Sequence, residues 1–173
     1  MKFQYNGIRI KPPNEKDAEK MMEFINSLVE EKADINQCKK VTLDEEEKYL
    51  KDILKKIKEN KLVYLIALDN DKVVGIVSIG LRTGKMSHRG GLGISVAKEY
   101  RGKGLGKKLM ELIIELAKEK LKGLEMIELS VFKRNKAAKK LYKKFGFKKV
   151  ATIKKGLKFE GKYFDEEIMA LWL

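Results

Sequence analysis

The sequence contains one cysteine, one histidine, two prolines and no long apolar run. Because Cys38 is the single cysteine, no internal disulfide can form and no cysteine cluster can hold a metal. No apolar stretch reaches the roughly 18 residues that a membrane-spanning helix needs. The first six residues contain no signal-peptide core. These absences favour a reducing, cytoplasmic location and no membrane partner.

The length and the apolar content predict a folded chain. With 173 residues, of which 43% are hydrophobic, the sequence can bury a sizeable core. No segment rich in Gly, Pro or Ser separates one part from another. We therefore expect a single domain over residues 1–173.

The positive charge is concentrated in one segment. The net charge is +14, and residues 132–162 contain thirteen Lys or Arg but only one acid, Glu160. Such a basic segment attracts phosphate-bearing partners, including nucleic acid, a ribosome surface or a nucleotide cofactor. A solvated lysine-rich surface explains the same composition, so the role of this segment stays open at this point.

Hydrophobic periodicity alternates between strand-like and helix-like segments. The predicted strands are 7–11, 62–68, 73–79, 91–96, 125–132 and two strands of a last hairpin, which turns at Glu160–Gly161. Four helices are predicted. Two begin after capping signals at Asn14 and Thr42, and two are indicated by apolar stripes over 105–117 and 137–145. This order predicts one α/β domain with a mixed sheet. Strands 91–96 and 125–132, joined by a helix, should run parallel.

A glycine-rich turn is the sharpest feature of the sequence. Arg101-Gly102-Lys103-Gly104-Leu105-Gly106 follows a predicted strand and opens a predicted helix. Glycines allow a tight turn, and the first N–H groups of a helix lack partners within the helix. A pyrophosphate suits that position, and Arg101, Lys103 and Lys107 add positive charge. A Walker loop is excluded because Lys108 follows Lys107, and the glycine spacing does not match a dinucleotide fingerprint.

Two segments resemble the signatures of the GNAT acetyltransferase superfamily. Gly93-Ile94-Ser95-Val96 with the turn 100–106 is similar to its acetyl-CoA signature, Arg/Gln-x-x-Gly-x-Gly/Ala. Residues Asn135 to Phe147 are similar to its second signature, Asn-x-x-Ala-x-x-Leu-Tyr-x-x-x-Gly-Phe. The cofactor core would therefore span about 91–147. The tail 161–166 resembles the last hairpin of acetyltransferases that act on ribosomal proteins and polyamines.

The resemblance implies a fold and a set of cofactor contacts. The fold would be a mixed, largely antiparallel β-sheet of six to seven strands flanked by about four helices. Backbone groups of the strand segment 94–96 would pair with the pantetheine arm of acetyl-CoA, the turn would hold the pyrophosphate, and Asn135 would reach the pantetheine amides. The residues implied in cofactor binding are Ile94, Ser95, Val96, Arg101, Gly102, Lys103, Gly104, Leu105, Gly106, Lys107, Asn135 and Tyr142.

The same resemblance implies a proton donor but leaves the base unassigned. Tyr142 would protonate the departing thiolate as general acid. Relatives carry a Glu five residues before the motif Asn, where this chain has Ser130, and often a Glu where Gly91 stands. His88 and Glu128 are candidates for a base, but they are weaker candidates than the two carboxylates that relatives carry.

The predicted function is acetyl transfer from acetyl-CoA to a primary amine, with a protein N-terminus, such as that of a ribosomal protein, as one acceptor. A polyamine or another small amine is an alternative acceptor. A non-catalytic acetyl-CoA sensor is a second alternative, since both usual carboxylates are missing. A nucleic-acid-binding module is a third, but Tyr142, Phe145 and Phe147 fall at core spacing, so no specific nucleic-acid binding is predicted. The acids Glu30, Glu31 and Asp34 are interpreted as solvated charges.

Overall fold

The computed structural model describes residues 2–173, which divide into two compact units. The N-terminal unit comprises the chain up to Gly80 together with Gly93–Lys122. The C-terminal unit comprises Leu81–Leu92 and Gly123–Leu173. The single domain expected over 1–173 stays a prediction, and each unit is described by itself.

Residues 2–173 form eight strands and four α-helices, so the α/β class is confirmed and the expected six to seven strands are corrected to eight. The strands are β1 Phe3–Tyr5, β2 Ile8–Lys11, β3 Leu62–Asp69, β4 Lys72–Leu81, β5 Arg89–Val96, β6 Met126–Phe132, β7 Lys148–Phe159 and β8 Lys162–Trp172. The helices are α1 Ala18–Glu30, α2 Leu43–Lys58, α3 Leu105–Lys120 and α4 Lys136–Lys144. Within the described residues, no helix is both long enough and apolar enough to cross a bilayer.

The strand missed by sequence reasoning is β1, which has only three residues. It pairs antiparallel with β2 across Asn6 and Gly7, whose φ angles are 47° and 81°. Two positive φ values in a two-residue loop are typical of the hairpin turn that Asn-Gly favours. The dipeptide Asn6-Gly7 was therefore the signal that could have found this strand.

In the N-terminal unit, β1, β2, β3 and β4 are joined as neighbouring antiparallel strands. All residues from Val63 to Leu68 of β3 are buried, which shows that both faces of this strand are covered. The methyl group Cδ1 of Leu109 on α3 lies 3.0 Å from the position that a Cβ at Gly75 would take. The absence of a side chain at Gly75 thus lets α3 approach β4 closely.

The predicted capping boxes are confirmed at both N-terminal helices. Asn14 and Asp17 cap a short 3₁₀ turn that leads into α1, and Thr42 and Glu45 cap α2 reciprocally. Each box satisfies backbone N–H groups that the helix itself leaves without partners. Local sequence therefore fixes where α2 and the 3₁₀ turn before α1 begin.

In the C-terminal unit, the start of β5 pairs parallel with β6, from Arg89 opposite Met126 to Gly91 opposite Glu128, as the crossover predicted. Strand β8 lies between β6 and β7 and pairs antiparallel with both. Residues 148–156 of β7 are exposed on both faces of the strand. This strand carries much of the basic segment.

Candidate functional site

The predicted phosphate turn lies where β5 ends and α3 begins. Gly102 and Gly104 have φ angles of 74° and 89°, in the left-handed region that favours glycine. Helix α3 starts directly afterwards at Leu105, and its N-cap residue, Gly104, has no side chain with which to cap the helix. Among the described residues, the first N–H groups of α3 therefore receive no capping hydrogen bond from their N-cap residue at the positive end of the helix dipole.

A tyrosine packs against this turn. The hydroxyl of Tyr5 donates a hydrogen bond of 3.4 Å to the carbonyl of Lys103, and it would overlap a Cβ placed on Gly104. At Gly102, by contrast, no atom lies within 4 Å of such a Cβ. Gly104 is thus required by both its backbone angle and the contact with Tyr5. No local signal in the sequence could have linked residues 5 and 104.

The cations beside the turn differ in their partners. Arg101 donates a 2.8 Å hydrogen bond from Nε to the carbonyl of Val96, and its guanidinium forms an ion pair with Glu31. Nζ of Lys107 lies 3.5 Å from Oε1 of Glu111, which is one turn further along α3. Glu31, interpreted from the sequence as a solvated charge, is therefore a structural partner of Arg101, and the Arg101 side chain joins the turn to the end of β5 and to the end of α1.

The strand segment Ile94, Ser95 and Val96 precedes the turn. The N–H of Ala97 donates to the carbonyl of Val74 at 2.9 Å, which joins this end of β5 to β4. On the opposite edge, pairing of β5 with β6 ends at Gly91. Strand β5 continues beyond Gly91 through the segment 94–96, and an extended segment of this kind can pair with a ligand as an added strand.

Asn135 and Tyr142 share helix α4. Asn135 is the N-cap residue, and its Oδ1 accepts a 3.0 Å hydrogen bond from the N–H of Ala138. Its amide NH₂ remains as a donor. Tyr142 follows seven residues later, and seven residues make almost two full turns. The two side chains therefore emerge on the same side of α4.

The Tyr142 ring is buried, with 7% of its surface exposed, and its centroid lies 6.0 Å from that of Phe147. Burial raises the pKa of Tyr142 to about 12. The phenol consequently keeps its proton throughout the physiological range, as a proton donor must. Packing and proton donation are compatible at this position.

The candidate bases have different surroundings. Ser130 donates a hydrogen bond to the carboxylate of Glu166. Glu128 accepts hydrogen bonds from Arg82 at 2.9 Å and from Arg89. Burial alone raises the pKa of Glu128, but the two arginines outweigh it and leave the pKa below its ordinary value. Glu128 is therefore a paired carboxylate and a poor base, while His88 is half-buried just before β5.

The predicted residues fall into two groups. Residues 94–96 and 101–107 lie in the N-terminal unit, and Asn135 and Tyr142 lie in the C-terminal unit. Of the three aromatic residues predicted at core spacing, Tyr142 and Phe147 are buried and Phe145 is half-buried. Residues 2–173 contain no cluster of three or more metal-ligating side chains.

Comparisons with known proteins identify the family. The acetyltransferase (GNAT) family matches residues 25–147. A GNAT-family acetyltransferase from Streptococcus pneumoniae is similar in structure, with a TM-score of 0.85, 31% identity and coverage of 96% of this chain and 99% of that one. A ribosomal-protein-alanine N-acetyltransferase from Brucella melitensis gives a TM-score of 0.84 and 25% identity, over 95% and 99% of the two chains.

Among curated proteins, the L-amino acid N-acetyltransferase of Escherichia coli is 36% identical over 107 residues. That alignment covers 61% of this chain and 65% of the relative. The matched region thus spans less than two thirds of that relative's length.

Proposed function

Because the chain belongs to the GNAT acetyltransferase family, we propose that it is an acetyl-CoA-dependent N-acetyltransferase acting on a primary amine. Members of this family use acetyl-CoA as cosubstrate. The observation that carries the proposal is the uncapped N-terminus of α3 behind the left-handed Gly104. Such a terminus offers several N–H donors and a positive dipole to a diphosphate.

Different residues of this chain bind different parts of acetyl-CoA. The N–H groups from Gly102 to Lys107 bind the diphosphate, with the charge of Lys103 and Lys107 beside them. The backbone of 94–96 pairs with the amides of the pantetheine arm, and the free NH₂ of Asn135 donates to the same arm. Arg101 acts mainly by holding the turn in place, because its side chain is already bound to Val96 and Glu31.

Direct attack needs two proton movements. Acetyl-CoA supplies the acetyl group as a thioester, whose C–S bond breaks as the amine nitrogen bonds to the carbonyl carbon. Tyr142 holds a proton at its hydroxyl and gives it to the departing sulfur. The attacking amine must be neutral, and it loses its second proton to water or a base after attack. Glu128 is unsuited to that task because its carboxylate is bound to two arginines.

The acceptor is an α-amine in this proposal, with a protein N-terminus as the first candidate. The relatives support the class, since one is named for ribosomal-protein alanine and another for L-amino acids, and both groups carry an α-amine. A polyamine is less well matched. Residues 72–98 contain no Asp or Glu, so this region offers a polycation no carboxylate.

A thiol-release assay tests the proposal. Purified protein and acetyl-CoA are combined with peptides bearing free N-termini, with free L-amino acids and with spermidine. We expect CoA release with α-amines, and acetylated product by mass spectrometry. If CoA binds but no amine in the panel is acetylated, the enzyme proposal fails and the non-catalytic sensor takes its place.

A further inference from the structure

An arginine outside the predicted site occupies the surface of β5. The guanidinium of Arg82 lies against Gly91, since a Cβ at Gly91 would be 3.4 Å from its Nη2 and 3.5 Å from its Cζ. Gly91 is directly opposite Glu128 in the pairing of β5 with β6. A planar cation therefore covers the place where a side chain at position 91 would project.

A buried carboxylate anchors this cation. Oε1 of Glu128 accepts from Nε of Arg82 at 2.9 Å, and Oε2 accepts from Arg89. The Glu128 side chain is only 10% exposed, whereas that of Arg82 is 52% exposed. Two cations share one anion, so the cluster keeps one net positive charge.

The terminal donors of Arg82 are not used within the C-terminal unit. Glu128 binds Arg82 through Nε, and among the described residues neither Nη group has a further hydrogen-bond or ion-pair partner. These two NH₂ groups form a fork that matches a carboxylate. Anchoring through Nε fixes the fork in advance, so that less side-chain entropy is lost on binding an anion.

The position along β5 indicates which ligand brings the anion. The glycine turn for the diphosphate follows the C-terminal end of this strand, and Gly91 lies near its N-terminal end. The proposed function assigns the phosphates of the cofactor to that turn. The anion at Arg82 then belongs to the acceptor.

From these contacts we infer that Arg82, held by Glu128, binds a carboxylate carried by the acceptor close to its amine. This inference rests on the proposed function and narrows it to acceptors with such a carboxylate. Two sources share this chemistry. One is the α-carboxylate of a free amino acid, and the other is the acidic second residue of a protein N-terminus.

Matched acceptor pairs test the inference in the unmodified protein. L-Alanine is compared with L-alaninamide, and the amidated dipeptide Ala-Asp with Ala-Asn, each by kcat/KM at saturating acetyl-CoA, calculated on the concentration of the neutral amine, because a free carboxylate raises the pKa of the neighbouring amine. We expect the acid of at least one pair to exceed its neutral partner by about 10- to 100-fold, the value of a charged hydrogen bond. The preferred pair identifies the source. Equal kcat/KM within both pairs would overturn the inference while leaving the acetyltransferase proposal intact.

Substitutions locate the effect. Arg82→Gln should abolish the preference for the acid, so that the ratio of kcat/KM for the acid to kcat/KM for its neutral partner falls to about one, because the fork is lost. Lys85→Gln removes one charge from the same loop and is the matched control, which should keep the preference. Loss of preference in both variants, or in neither, contradicts a specific role for Arg82.

A binding measurement separates the two proposals. N-acetyl-L-alanine and N-acetyl-L-alaninamide, and the acetylated forms of the two dipeptides, are titrated calorimetrically into the CoA-bound protein. Tighter binding of an acid by the unmodified protein, lost in Arg82→Gln, supports carboxylate recognition even if no acceptor turns over. Equal affinity for acid and amide in both pairs refutes it whatever the catalytic result.

Discussion

Helices α3 and α4 both begin at predicted site residues, yet their N-termini are built in opposite ways. At α3 the N-cap is Gly104, which has a left-handed backbone and no side chain to cap the helix. At α4 the N-cap is Asn135, whose Oδ1 already accepts from the N–H of Ala138. The first terminus leaves its amides open for an anion, whereas the second uses its cap to stabilise a helix that carries Tyr142. This difference predicts an anion site at the N-terminus of α3 and none at that of α4.

The largest effect is expected from Tyr142→Phe, which tests α4 as the carrier of the proton donor. Removal of the hydroxyl should lower kcat by about 10²- to 10³-fold, the usual contribution of general acid catalysis. The Kd of acetyl-CoA should stay within about threefold, since the ring still packs on Phe147. Thiol release and calorimetry measure the two quantities. Tyr163→Phe, on an exposed ring of β8, is the control and should be neutral.

Gly104→Ala tests the open terminus of α3. A left-handed alanine costs about 1–2 kcal/mol, and its Cβ would also overlap the Tyr5 hydroxyl. We expect the Kd of acetyl-CoA to rise about 10- to 100-fold, which corresponds to about 1.4–2.7 kcal/mol. Adding Tyr5→Phe removes the overlap and should restore part of this loss.

Gly102→Ala is the matched comparison for that experiment, because its φ is also positive but the surrounding space is open. It should destabilise the fold less than Gly104→Ala does, as judged by thermal unfolding. Equal losses of stability at the two positions, with no rescue by Tyr5→Phe, would show that the contact with Tyr5 does not matter.

Substitutions at Asn135 separate the capping of α4 from the proposed binding of the ligand. Asn135→Ala should lower the free energy of unfolding by about 1 kcal/mol, the typical value of an N-cap. Asn135→Asp keeps the capping oxygen but loses the NH₂ donor, so it should preserve stability and weaken acetyl-CoA binding by about three- to tenfold. Denaturant unfolding and calorimetry distinguish the two variants. Unchanged affinity in Asn135→Asp would remove the amide from the proposed site.

The smallest effect is expected in the pH dependence of kcat/KM. Since burial holds the pKa of Tyr142 at about 12, the phenol remains protonated as pH rises through 10. The value of kcat/KM should therefore increase with pH as the acceptor amine loses its proton and should show no decline below about pH 10. A pH–rate profile from 6 to 10.5 checks this. A descending limb centred near pH 9 would mean that the donor has a lower pKa than the buried phenol.

Much of the fold followed from local patterns in the sequence. The capping boxes at Asn14 and Thr42, the turn at Glu160–Gly161 and the parallel pairing of β5 with β6 were all predicted and are confirmed. Strand β1 was missed because three residues are too few for a period-two pattern to stand out. Asn6-Gly7 was an available signal for it.

The site was predicted less completely. The site residues named from the motifs stay predictions, and the structure adds that α3 begins after the left-handed Gly104. The partners of charged residues were not predicted, because the sequence around Glu31 indicates a solvated charge and Arg82 lies in a basic loop. Neither belongs to a motif, so only a spatial contact could identify them.

By itself, the sequence determined those features whose physics is local: helix periodicity, capping, glycine turns and the seven-residue spacing from Asn135 to Tyr142. The tertiary structure alone decided the contacts that join distant segments, namely Tyr5 with Lys103, Arg101 with Glu31 and Arg82 with Glu128, which are 98, 70 and 46 residues apart. The reason is physical. Side chains far apart in the chain come into contact only through strand register and helix packing. The residues next to them in the sequence therefore carry no signal of that contact.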